Sequence, residues 1–152
     1  FKRFIQAKGT LGFAASLGSR FTFQNTNEAG FTLNNPTSNI FKFYLGGYNK
    51  NYINTFISLY GYGFAELSQD TFLKSEFNFR YRFTNNHYAL LIANYARLEP
   101  NVFKNLDLFT NIRSGYALGY SYNSFIGPIE LKYSWSPDTK ESYWLFNLGF
   151  WF

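Results

Sequence analysis

The 152 residues make one ordinary domain, with no Cys or Met, a single His, a net charge of +5 and 24% aromatics. Absence of Cys excludes disulfide frameworks, thiolate metal sites and thiol nucleophiles together. No stretch approaches the ~20 consecutive apolar residues of a transmembrane helix, so a helical membrane protein is excluded. No signal-peptide pattern follows Phe1, and the expectation is a mature chain or a fragment of something longer.

Alternation with period two, the mark of half-exposed strands, runs through the chain where helical periodicity fails. Ile5 to Phe23 carries Ile5, Leu11, Phe13, Leu17, Phe21 and Phe23 on odd positions, against Gln6, Lys8, Thr10, Arg20 and Thr22 on even ones. Ile40 to Tyr48 and Asn54 to Ala65 are strand-like with large apolar residues on both faces, and His87 to Leu98 shares that ambiguity. Leu73 to Phe83 is the clearest case, with Leu73, Ser75, Phe77, Phe79, Tyr81 and Phe83 opposite Lys74, Glu76, Asn78, Arg80 and Arg82. Arg113 to Tyr122 sets Tyr116, Leu118, Tyr120 and Tyr122 against Arg113, Gly115, Ala117, Gly119 and Ser121. Ile129 to Trp135 and Trp144 to Phe152 complete the series. In water such strands would be halves of a sandwich core. With lipid outside, they are the wall of an all-β, antiparallel transmembrane barrel, about eight strands of the ~10-residue length such a wall requires.

The intervening connections favour the barrel, because they alternate, broadly, long and short. They are Gln24–Asn39, Asn49–Ile53, Glu66–Asp70, Thr84–Asn86, Glu99–Asn111, Asn123–Phe125 and Pro137–Ser142, with Pro36, Pro100 and Pro137 in the long ones. Seven acids (Glu28, Glu66, Asp70, Glu99, Asp107, Asp138, Glu141) fall in the proposed outer loops, beside Lys104 and Lys140. Lys74, Arg80, Arg82, Arg113 and Lys132 instead line a basic lumen wall, with Glu76 and Glu130 as its carboxylates. Those bases need further acids from elsewhere, or an anion. Nucleic-acid binding fits poorly, since rings and charges alternate to opposite faces and no RNP-like or zinc-finger pattern occurs. Aromatic girdles are expected at both interfaces: Tyr81, Phe83, Tyr88, Tyr120, Tyr122, Phe150 and Phe152 at the periplasmic one, and Phe21, Phe23, Trp135 and Trp144 at the outer one.

The C-terminus is the most specific part. Large apolar residues alternate back from Phe152 through Phe150, Leu148 and Phe146, with Gly149 between. This resembles the signal by which bacterial outer-membrane barrels are recognised for insertion. The preceding Ser124-Phe125-Ile126-Gly127-Pro128-Ile129-Glu130-Leu131 resembles the penultimate-strand motif of the Omp85 (bacterial surface antigen) superfamily. Its pairing with Asn147-Leu148-Gly149-Phe150-Trp151-Phe152 looks most like the C-terminal barrel of Bacteroidetes patatin-like phospholipases. The resemblance is good from about Arg113 to Phe152 and looser before it. It implies an N-terminal patatin hydrolase joined to a barrel of about sixteen strands, of which residues 1–152 would be the C-terminal barrel segment. Other expected partners are membrane lipids, lipopolysaccharide among them, and the barrel-assembly machinery. The implied location is the bacterial outer membrane, with the C-terminus on the periplasmic side. Protein assembly or translocation, and a self-contained eight-stranded surface barrel, are the competing functions.

A patatin-type site needs G-x-S-x-G on a sharp elbow and an Asp partner, and neither motif is present, since none of Asp70, Asp107 or Asp138 precedes Gly. The segment is therefore expected to be non-catalytic, without cofactor or metal, and His87 to be a polar residue flanking the turn at Asn85-Asn86. The sparse stretch Gly115, Ala117, Gly119 and Ser121 predicts a wide wall facing other material. Accordingly, Gly9 to Phe23 is not expected to close a private barrel against the last strand.

Overall fold

The computed structural model describes residues 3–34, 39–48, 53–100 and 109–149. In chain order the elements are β1 (Ile5–Leu17), β2 (Phe21–Leu33), a 3-10 turn (Asn39–Phe41), β3 (Phe43–Leu45), β4 (Phe56–Ile57), β5 (Leu67–Gln69), β6 (Thr71–Thr84), β7 (His87–Glu99), β8 (Ile112–Ser124), β9 (Gly127–Trp135) and β10 (Ser142–Leu148). Seven of these strands form one sheet in the order β1-β2-β6-β7-β8-β9-β10, while β4-β3-β5 form a small second sheet. Every neighbouring pair in the large sheet is antiparallel. The sheet is open, with β1 and β10 as its edges.

Residue parity sets the two faces. Outward from the small sheet point Leu11, Phe13, Leu91, Leu118, Trp144 and Phe146, all large and more than a third exposed. Toward it point Lys74, Ile92, Asn94, Ala96, Ala117, Ser121, Lys132 and Ser134, all buried. Short turns join β1 to β2, β6 to β7 and β8 to β9 at one end of the wall, and the longer connections lie at the other.

Three local expectations need correction. Ile5–Phe23 is a hairpin rather than one strand, turning at Gly18 with φ +79°. Most of Gln24–Asn39 is therefore strand β2, and Glu28 sits on its inner face rather than in a loop. Ile40–Tyr48 and Asn54–Ala65 do not cross with the wall: with β5, which falls inside the expected Glu66–Asp70 connection, they build the segment folded against it. Losing two expected wall strands and gaining one turns about eight into the seven observed. The girdles move too. Phe21 and Phe23 pair with Tyr81 and Phe79 at the short-turn end, and Tyr88 lies on the inner face. Phe150, Phe152, Pro36, Lys104 and Asp107 lie outside the described residues.

Candidate functional site

Residues 39–48 and 53–69 cover the inner face through large apolar side chains. Phe43, Leu45, Ile57, Leu59 and Tyr62 pack with Phe72 and Ala96 of the wall into one core. Tyr60 packs with Ile92 and Ala117 into a second, against which Leu145 of β10 also rests. The sparse stretch on β8 is what admits this material. A Cβ at Gly115 would collide with the Tyr60 carbonyl oxygen, so no larger residue permits so close an approach. Beside it Asn94, fully buried, accepts the Tyr60 N–H at 2.7 Å and donates to the Gly115 carbonyl at 3.1 Å. Gly61, at φ +82°, runs so close to Trp135 that a side chain there would meet its backbone.

Between segment and wall lies a polar cavity of about 560 Å³. Lys74, 4% exposed, reaches Glu76 at 3.0 Å, Glu28 at 3.2 Å and Ser58 at 3.2 Å. Glu28 also meets Lys8 at 3.5 Å. Across the cavity the Lys132 Nζ lies 2.7 Å from both Glu130 Oε2 and the Tyr48 hydroxyl, which itself donates to Glu130 at 2.7 Å. Two buried lysines are thus matched by three carboxylates of the same chain, with Lys8 at the margin. Burial without such partners would cost several kcal/mol per ion. The acid that the sequence reading lacked is Glu28, hidden there by its assignment to a loop.

The other predicted basic residues separate. Arg80 lays its guanidinium 3.8 Å from the Tyr88 ring centroid; among the described residues its Nε and the Ser121 hydroxyl are buried with no hydrogen-bond partner. Arg82 bonds the Ser19 carbonyl at 2.8 Å and pins the β1–β2 turn. Arg113 stands at the long-connection end, beside a second fastening point, where Asp138 accepts the Ser114 N–H and the Tyr62 hydroxyl, each at 2.7 Å. Burial pushes the Asp138 carboxyl up, but those hydrogen bonds and the Arg113 charge outweigh it and hold it below its ordinary value of 3.8. Burial likewise, with the Asp138 carboxylate behind it and Ser136 opposing, pushes the Tyr62 hydroxyl up to about 12.

Gly127 and Pro128 do come together with the C-terminal strand. Gly127, at φ +111°, closes the β8–β9 turn under a bond from the Ser124 hydroxyl to its carbonyl at 2.7 Å. The Pro128 carbonyl accepts the Gly149 N–H at 2.9 Å. Phe146 and Leu148 stand exposed on the outer face. His87 packs among Phe83, Tyr120 and Tyr122, with its Nδ1 against the Tyr120 hydroxyl.

An antiparallel wall, apolar outside and charged within, defines the class of outer-membrane transmembrane β-barrels. The family model described as OMP85 superfamily matches residues 1–152, and the chain belongs to that superfamily. Its place is the bacterial outer membrane. No curated protein sequence matches it.

Proposed function

We propose that this chain is the non-catalytic, membrane-embedded part of a wider barrel that anchors a patatin-like phospholipase domain of the same polypeptide. The observation that carries the width is directional. Six successive antiparallel pairings separate β1 from β10, so the two edges run the same way. They cannot join in an antiparallel ladder, and two copies around a common axis would meet with the same mismatch. Closure of an all-antiparallel barrel requires an odd number of further strands, and about nine would complete the roughly sixteen that the patatin-type resemblance implies.

The long connections then face outward and the C-terminus the periplasm, where the barrel-assembly machinery would read Phe146, Leu148, Gly149, Phe150 and Phe152. Support for the patatin parent comes from the Gly127-Pro128 and C-terminal motifs. A second reading, a barrel that assembles or translocates proteins, draws on the segment 39–69, which occupies the lumen side where a passage would lie. The coding sequence upstream of Phe1 separates them: G-x-S-x-G supports the anchor, POTRA-type repeats the assembly barrel, and a signal peptide directly before Phe1 the self-contained barrel. Residues 1–152 hold no Cys, so a pair such as Thr10→Cys with Asn147→Cys, in the full protein with any cysteine outside them replaced, tests closure. No cross-link between β1 and β10 is expected, and an efficient one overturns the wide barrel.

A further inference from the structure

The inner face changes character along its length. Beneath the docked segment the cavity is lined by Lys8, Lys74 and Lys132 against Glu28, Glu76 and Glu130, three charges of each sign. Toward the short-turn end that balance stops. Arg80 and Arg82 follow on β6, and Arg20 stands opposite Arg82, whose N–H donates to the Arg20 carbonyl at 2.8 Å. Like charges set across a ladder destabilise it. Among the described residues no carboxylate lies within 4 Å of any of the three.

Other acceptors are missing too. The Tyr88 ring backs the Arg80 guanidinium, and Arg80 Nε is buried without a partner among the described residues. So is the hydroxyl of Ser121, which lies directly across the ladder from Tyr88. Glu130, next in that row, is already engaged by Lys132 and Tyr48. Arg82 uses one N–H on the Ser19 carbonyl, and a guanidinium carries five.

Topology settles what would lie nearest this end. β1 runs from the long connections to the turn at Gly18, so an odd number of antiparallel strands before it makes the first of them start at the short-turn end. A domain preceding such a barrel hangs at the mouth that holds the arginines. The far wall does not reach them, because a barrel of roughly sixteen strands encloses an aqueous channel. What a planar arginine fork fits best is a carboxylate or phosphate, and a protein domain at this mouth offers the carboxylate.

We propose that Arg20, Arg80 and Arg82 seat an acidic face of the domain that precedes the barrel in the same polypeptide, its carboxylates accepting the guanidinium N–H groups. The seat rests on the anchor reading above. In the full protein, Arg20→Lys and Arg82→Lys keep the charge and add an amine, which a carbodiimide joins directly to a touching carboxylate. Peptide mapping is expected to link each new amine to the preceding domain, whereas Arg113→Lys, at the opposite end, gives no such link. Replacing Arg80 and Arg82 together by Gln should speed protease release of the domain about tenfold, the equivalent of ~1.4 kcal/mol of charge-assisted bonding, with the folded migration of the wall kept. Should that pair fail to insert, Arg20→Gln, at the exposed turn, is read by the same release assay. Links confined to residues 1–152 or to other barrel strands, links to a different polypeptide, or unchanged release overturn the proposal. A signal peptide encoded directly before Phe1 would instead overturn the anchor reading itself.

Discussion

On the wall, Leu11, Leu118 and Phe146 point away from the molecule and are 74%, 52% and 67% exposed, whereas Phe43, Leu45, Ile57 and Leu59 of the segment 39–69 are at most 2% exposed. The same kinds of side chain meet opposite fates because their solvents differ. Lipid accepts an apolar face without penalty, so the wall depends on its backbone ladders, which pair β2, β6, β7, β8 and β9 on both sides and leave one side each of β1 and β10 for further strands. The segment makes only short ladders of two or three residues. Burial of apolar area, worth about 25 cal/mol per Å², and a few side-chain bonds must hold it instead.

The largest effect should come from reversing the wall's rule. Phe77→Arg, on the outer face near mid-strand, is expected to cost roughly 2–4 kcal/mol and to impair insertion, while Asn78→Arg, one residue on and inward, is milder. Equal insertion of both in a membrane-assembly assay contradicts the assigned faces. Next, Gly115→Val drives a side chain into the Tyr60 backbone and should cost about 1–3 kcal/mol. Limited proteolysis should then cut within 53–69 while the wall keeps a folded migration in unheated gels. Simultaneous loss of both would mean the segment and wall are one cooperative unit. Smaller still, Tyr48→Phe removes a hydroxyl that serves both Lys132 and Glu130, for about 1 kcal/mol, seen as faster proteolysis without a change in insertion.

The smallest effect is acid dependence. Because the folded Asp138 carboxyl lies below its ordinary value, its contribution is complete above about pH 4 and fades as pH falls through the lowered value. Protease protection of the segment should therefore be flat near neutrality and decline only in stronger acid. Asp138→Asn should lower protection slightly at neutral pH and remove that decline. A decline that survives the substitution assigns acid sensitivity elsewhere.

How much of this was legible in sequence depended on what each residue faces. Where one side meets lipid and the other polar groups, as in β6 and β9, alternation named both faces. The hairpin at Gly18 escaped because its three-residue turn preserves parity: Leu17 and Phe21 pair directly and both point outward, so the pattern crosses the turn without a break. That single misreading moved Glu28 into a loop and left the lumen short of an acid. Residues 39–48 and 53–69 escaped for another reason, since their large side chains fall on buried and exposed positions alike, Leu45 and Leu59 within and Ile40 and Phe64 without, and so carry no period. Their docking surface was half visible as the small residues of β8, but Asn94 sits in a strand with large residues on both faces and had no pattern to mark it.

Asn94 also bears on how the molecule assembles. Its carboxamide reads a Tyr60 N–H on one side and a Gly115 carbonyl on the other, so the seat exists only when β7 and β8 are correctly aligned. A slip of one residue turns Asn94 to the hydrocarbon side and opposes the wrong neighbour. Docking of Tyr60 is thereby conditional on strand register: a wall paired in the wrong frame offers no Asn94–Gly115 seat.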